Sequence, residues 1–291
     1  MTGCPCNNLP FCLEQPFLTA CEKNDIKIAE SCLNLKADPN IKTKDGYWSG
    51  LHYAAEKNYP EMCDLLLAHP KINVNIRDND DWTPLMISCY YGHGEITQKL
   101  VSASGVDLNC QSSDGSTAAI IATYYNQTEC LEILTTKDSV NWNIQTNLGW
   151  TAVMYAMNNK HVENVKILLT IPHLNWNLRT NDNRSALTMA LGDGNKEIIN
   201  LVLSAEGLEL DVDHQKSKNV FDKAVTACQE FVLEKMCDDG IDDKEIITLF
   251  ALENDMDEFA KILGMLLINP TRLTLTLVAW GQNRNIKKTN I

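Results

Sequence analysis

The sequence contains no run of 18 apolar residues and no basic N-terminal stretch leading into an apolar one, so neither a membrane span nor a secretory leader is expected. Positive charge is scarce: 25 Lys and Arg stand against 38 Asp and Glu, a formal charge of −13. That balance argues against general affinity for nucleic acid or anionic lipid and favours the steering of basic partners. The eleven cysteines are odd in number and lack the spacing of a disulfide framework. Several, among them Cys21, Cys32, Cys63 and Cys89, stand at small apolar positions. Reduced thiols are therefore expected, in a cytoplasmic setting that extends to the nucleus.

The signatures of catalysis are missing too. There is no Gly-rich phosphate loop, no H-E-x-x-H and no G-x-S-x-G. His52, His69, His93, His161, His173 and His214 are dispersed, and none has a metal-ligating partner at helical spacing. Cys4, Cys6 and Cys12 cluster near the start without a fourth ligand, so residues 1–13 read as a Cys-containing N-terminal extension rather than a metal site. The chain reads as non-enzymatic, with no cofactor, metal or catalytic residue expected.

What the sequence does hold is a repeat. Stepping by 34 from Leu85 reaches Phe17, Leu51, Ala119, Val153, Leu187 and Phe221, all apolar. Three residues past each anchor come Ala20, Ala54, Ser88, Ala122, Ala156, Ala190 and Ala224, all small. Glu recurs ten past the anchor at 61, 95, 129, 163 and 197. Two before it stand Ser49, Thr83, Thr117, Thr151 and Ser185, hydroxyl side chains suited to a helix N-cap. Seven past it are Asn24, Asn58, Gly92, Asn126 and Gly194, residues that tolerate a left-handed helix terminus, with Lys160 the exception. The Glu column falls in the first turn of a second helix, where the helix dipole favours a carboxylate. The unit is a short helix, a tight turn, a second helix and a long loop. Alone it cannot bury its apolar face, so copies must stack.

At this point the chain resembles the ankyrin-repeat family. The stretches that carry the resemblance are "KDGYWSGLHYAAEKNYPEMCDLLL", "DNDDWTPLMISCYYGHGEI", "SDGSTAAIIATYYNQTECLEIL", "NLGWTAVMYAMNNKHVENVKILL" and "NDNRSALTMALGDGNKEIINLVL". A weaker opening copy begins near residue 14, a copy anchored at Phe221 is degenerate, and a last one uses Thr248, only 27 residues on. The family's histidine after the anchor survives only as His52. The resemblance implies an all-α solenoid of about eight helix-pair units over residues 14–268. Beyond it lies a basic tail, 269–291, whose Leu/Thr alternation is a strand pattern.

The family geometry implies a concave face lined by first helices and loop tips. Its partner-facing places lie three, five and six residues before the anchor and five and six after. Here those places give Trp82, Tyr90, Tyr91, Ser116, Tyr124, Tyr125, Trp150, Asn158, Asn159, Arg184 and Asp193. Tyr90 and Tyr91 end their helix away from its apolar stripe, consistent with contact surface. The competing reading packs one Tyr of each pair against the next repeat. Trp142 and Trp176 face the loop interior and read as structural. Asn75, Asn109, Asn143 and Asn177 are expected to hydrogen-bond loop backbone. The expected role is protein binding by a monomer, the partner bearing a basic patch. The alternatives are a substrate-receptor adaptor of a ubiquitin ligase, against which the lack of a recruitment box counts, and the repeat portion of a larger signalling protein.

Overall fold

The computed structural model describes residues 9–193, 195–205 and 208. The copies anchored at Phe221 and Thr248, the basic tail, Gly194, Cys4 and Cys6 lie outside those residues. The chain divides into two units at Leu174/Asn175.

The first unit holds ten helices among its described residues. They are α1 (Leu9–Glu22), α2 (Ile26–Asn34), α3 (Gly50–Lys57), α4 (Pro60–Leu67), α5 (Pro84–Tyr91), α6 (Gly94–Val101), α7 (Ala118–Tyr124), α8 (Thr128–Thr135), α9 (Ala152–Asn158) and α10 (Val162–Leu169). The second unit holds α11 (Ala186–Asp193) packed on α12 (Lys196–Leu203). From α3 onward the first helices begin at 50, 84, 118, 152 and 186, and from α2 onward the second helices begin at 26, 60, 94, 128, 162 and 196. The 34-residue step of the sequence is thus the step of the fold. Helix α1 begins earlier than its counterparts, at Leu9, and Pro16 stands inside it where the next first helix has its opening residue.

Within the first unit the odd-numbered helices pack side by side, the even-numbered helices pack side by side, and each pair closes on itself. The small column explains the close approach of the first layer: Ala54, Ser88, Ala122 and Ala156 are all 0% exposed. Leu51, Leu85, Ala119 and Val153 of the anchor column are buried with them.

Helix ends follow the sequence closely. Thr83, Thr117 and Thr151 each accept on Oγ1 from the backbone N–H three residues on, all at 3.3 Å. Asn24, Asn58, Gly92, Asn126 and Lys160 all take positive φ, between 56° and 74°. At Gly92 a Cβ would sit 2.2 Å from Gln127 Oε1, so any larger residue there would also have to displace the Gln127 side chain.

Repeats are further tied through their loops. Asn40, Asn75 and Asn109 each donate Nδ2 to a carbonyl of the following loop, Lys71, Gly105 and Ser139, at 2.8 Å. Each also accepts a backbone N–H from that loop, from Asn73, Asp107 and Asn141 at 2.7–2.8 Å. One amide therefore satisfies two groups that irregular backbone would otherwise leave unpaired. Trp142 and Trp176 are buried, as their loop positions implied.

Candidate functional site

Each loop folds back as a tight hairpin before the next first helix. The backbone N–H groups of Thr43, Asp78, Ser112, Thr146 and Thr180 donate to the carbonyls of Trp48, Trp82, Ser116, Trp150 and Arg184 at 2.8–3.0 Å. The hairpin thus delivers one residue per repeat to the place three before the anchor, and three of those five residues are Trp. The C-terminal turn of the adjoining helix delivers the tyrosines, and the left-handed residue that follows stops the helix there.

In the first unit these two sources meet in one connected set of rings. Trp82 lies against Tyr90 with ring centroids 5.5 Å apart. Tyr90 meets Tyr91 at 4.8 Å and, across the repeat boundary, Tyr125 at 4.4 Å. Tyr125 meets Tyr124 at 4.8 Å, and Tyr124 crosses the next boundary to Tyr155 at 5.1 Å. Tyr155 stacks on Trp150 at 4.8 Å, and Tyr91 stacks on His93 at 5.8 Å. The tyrosine contacts run edge to face, the favourable arrangement for aromatic quadrupoles. Tyr91, Tyr124 and Tyr125 nonetheless remain 45%, 43% and 44% exposed.

Six of the expected residues are therefore brought together: Trp82, Tyr90, Tyr91, Tyr124, Tyr125 and Trp150. Ser116 is not among the exposed groups. It is buried, with its hydroxyl donating to Asp114 at 2.9 Å and its N–H to Ser112 Oγ at 3.1 Å, because it closes its own hairpin. Asn158 is exposed at the end of α9, while half-buried Asn159 donates Nδ2 to the Tyr124 carbonyl at 3.3 Å. Arg184 and Asp193 belong to the second unit, where Arg184 pairs with Asp182 at 2.7 Å and Asp193 ends α11.

Sequence reasoning missed Tyr155 and the pair Trp48–Tyr53. Tyr155 joins Tyr124 to Trp150, and Trp48 lies 5.5 Å from Tyr53 in the same two columns three repeats earlier. Both tyrosines stand two residues past the anchor, where Ile87 and Ile121 are buried. The signal available was their spacing, three and four residues before the exposed places on the same helical face.

Carboxylates flank the rings. Burial, then the charge of Glu56, raises the Tyr91 phenol. Burial, then Glu22, Asp45 and Glu56, raises Tyr53, and Asp114 adds to the effect of burial on Tyr125 and Tyr155. Against the opposing effect of burial, hydrogen bonds from Ser112 and Ser116 hold the Asp114 carboxyl low, so it keeps its charge. Lys57 is a cation near Tyr53 and Tyr91, and it is paired with Glu56 at 3.2 Å. No group of three His, Cys, Asp or Glu among the described residues is placed to hold a metal, and no helix among them is long and apolar enough to cross a membrane.

Paired helices stacked in two layers, with hairpins presenting side chains beside the first layer, define a repeat scaffold. The chain belongs to the ankyrin-repeat family: the family model for ankyrin repeats (3 copies) matches residues 17–112 and 92–179, more than half of the chain. Repeats of this family are in general protein–protein interaction modules. The ankyrin repeat protein YahD of Escherichia coli is 37% identical over 81 residues, 28% of this chain and 40% of that protein. The mouse SMC5-SMC6 complex localization factor protein 1 is 39% identical over 67 residues, 23% of this chain and 6% of that protein. This chain thus spans well under half of either relative. An ankyrin repeat domain from Acinetobacter baumannii superposes with a TM-score of 0.61 and 27% identity, over 66% of this chain and 98% of that one. The ankyrin repeat domain of Bcl-3, a member of the IkappaB family, gives 0.63 over 72% of this chain and 96% of that one; at 18% identity it speaks for the fold alone.

Proposed function

We propose that this chain is a non-catalytic binding module, and that the aromatic strip from Trp82 to Trp150, lying on the concave side of the array, is where a protein partner with a basic patch docks. One observation carries this reading: Tyr91, Tyr124 and Tyr125 are locked in edge-to-face contacts spanning two repeat boundaries, yet stay more than two-fifths exposed. Large rings held rigid lose little entropy on binding, and Tyr and Trp dominate binding hot spots. The flanking carboxylates supply the charge that attracts a basic partner.

The test places a photo-crosslinking phenylalanine analogue at 91, at 124 and, as control, at partly exposed Lys137 beyond α8. Cross-links from 91 and 124 to one protein, with none from 137, are the expected outcome. Equal cross-linking from all three positions would overturn the assignment of the strip.

A further inference from the structure

Resting on that reading, we propose that the strip receives an extended segment bearing arginines at every third position, each guanidinium lying on an aromatic ring of one repeat. Three observations converge on this occupant.

The first is the way the rings use their surfaces. Tyr90 meets Tyr91 at 80°, Tyr124 meets Tyr125 at 69° and Tyr124 meets Tyr155 at 85°. In a T-shaped pair one ring spends only its edge on the contact, and Tyr91, which also stacks one face on His93, is still 45% exposed. That leaves π-faces among the exposed tyrosines, and a π-face carries the negative side of the quadrupole, which attracts cations.

The second is charge. Glu56 acts on Tyr91 and Asp114 on Tyr125 and Tyr155, while Glu22 and Asp45 act on Tyr53 nearer the start of the array, so anions accompany the rings. A planar guanidinium can stack on a ring and present its edge N–H groups to a carboxylate together; an ammonium is a compact, strongly hydrated point charge with no plane to stack. This selects Arg over Lys.

The third is the match of two periods. Helices packed side by side lie about 8–10 Å apart. An extended chain in the polyproline II conformation turns once every three residues and advances about 3.1 Å per residue, so every third side chain points the same way. Three residues therefore span one repeat, so side chains at every third position address successive repeats. Exposed rings stand on consecutive repeats, Tyr91 on α5 and Tyr124 and Tyr125 at the end of α7, with Trp150 and Tyr155 half-buried on the next. Spacings of two or four residues lose register within two steps.

The experiment uses the full chain and fluorescein-labelled ten-residue peptides in a Gly/Ser background, read by fluorescence anisotropy. One peptide carries three Arg at every third position, a second carries Lys at the same places, and a third carries three Arg at every fourth position. Expected is binding of the first at least about tenfold tighter than either control, consistent with two or three cation–π contacts. Tyr91→Ala should weaken it severalfold with an unchanged helical circular dichroism spectrum. Glu56→Gln, which keeps side-chain shape, should weaken it too, and Lys137→Ala should not. Equal affinity for the Lys peptide or for the four-residue spacing overturns the proposal, as does no binding at millimolar peptide. If cross-links form from positions 91 and 124 while the arginine peptides fail, the arginine inference falls and the strip reading stands. If the cross-links themselves fail, it is the strip reading that falls.

Discussion

The rings of Tyr90 and Tyr125 meet at 4.4 Å and 65°, although the two residues belong to different repeats. Tyr90 is the fifth residue past its anchor and Tyr125 the sixth past the next, so the contact steps by one repeat and one residue. A stripe of strictly equivalent positions would have left these rings side by side. The offset lets one ring's edge reach the other's face. Packing between repeats and exposure to solvent are thus properties of the same side chains, and the two readings left open by the sequence are not exclusive.

A double-mutant cycle should detect that contact. Tyr90→Ala, Tyr125→Ala and the double variant, unfolded in urea, should show a coupling energy of about 1 kcal/mol. Additive losses would mean that the rings touch without stabilising the boundary.

Lys160 is the one residue in its column that is neither Asn nor Gly, yet it adopts φ 61° like the others. A long side chain resists that region by about 1 kcal/mol, whereas the short polar side chain of Asn offsets part of that cost through local hydrogen bonds. Lys160→Asn should therefore raise stability by several tenths of a kcal/mol or more, measured as a shift of the urea midpoint at constant slope. A loss of stability would show that the Lys side chain contributes more than its backbone strain removes.

The thiols give a third expectation. Cys21, Cys32, Cys63, Cys89, Cys110 and Cys130 are all free and buried. Burial pushes Cys21 and Cys63 up to about 12, so almost no thiolate forms near neutral pH. Reductant should leave the melting temperature unchanged. Iodoacetamide mapped by mass spectrometry should spare Cys21 and Cys63 until denaturant is added. Rapid labelling of either in the native state would contradict their burial.

Much of this architecture is legible in the primary structure, because the repeat turns each position into a column with one job. The hydroxyl column became caps, the Asn and Gly column became left-handed termini, and the loop Asn became cross-repeat ties. What could not be read were contacts between columns. Tyr155 stands where Ile87 and Ile121 are buried, and only its meeting with Tyr124 reveals its part in the strip. Ser116 failed in the opposite sense. Its column suits large side chains, but a small serine there turns inward and hydrogen-bonds Asp114 instead.

Tyr91 and Trp142 make a paired test of surface against support. Tyr91 is 45% exposed and ends α5, whereas Trp142 is 8% exposed within its loop. Tyr91→Ala should cost about 0.5 kcal/mol in stability, as surface changes do. Trp142→Ala should cost about 3 kcal/mol through the cavity it leaves. Urea unfolding of both variants decides; similar losses would mean that Tyr91 supports the fold rather than displaying itself to a partner.

The last expectation concerns pH and His52. Its ring is 0% exposed; Nδ1 accepts from the Ser49 N–H at 3.0 Å, so Nε2 carries the proton and donates to the Trp82 carbonyl at 3.1 Å. The side chain thus caps its own helix and ties it to the next repeat. Adding a proton at Nδ1 would break the cap and place a charge where water is absent. Burial accordingly lowers the pKa to about 4, although the Trp82 carbonyl opposes the shift. The unfolded chain titrates near 6.5, so on acidification it takes up a proton before the folded chain does. The stabilisation is therefore complete above about pH 6.5 and is lost as pH falls towards 4, by up to about 3 kcal/mol. Carboxylates titrate in the lower part of that window, so the comparison needs a variant. His52→Met installs the residue that Met86 and Met154 provide at the same place in other repeats. The variant should show a flatter stability profile between pH 6.5 and 5 than the parent chain. Parallel profiles would mean that His52 accepts its proton in the folded state as readily as in the unfolded one.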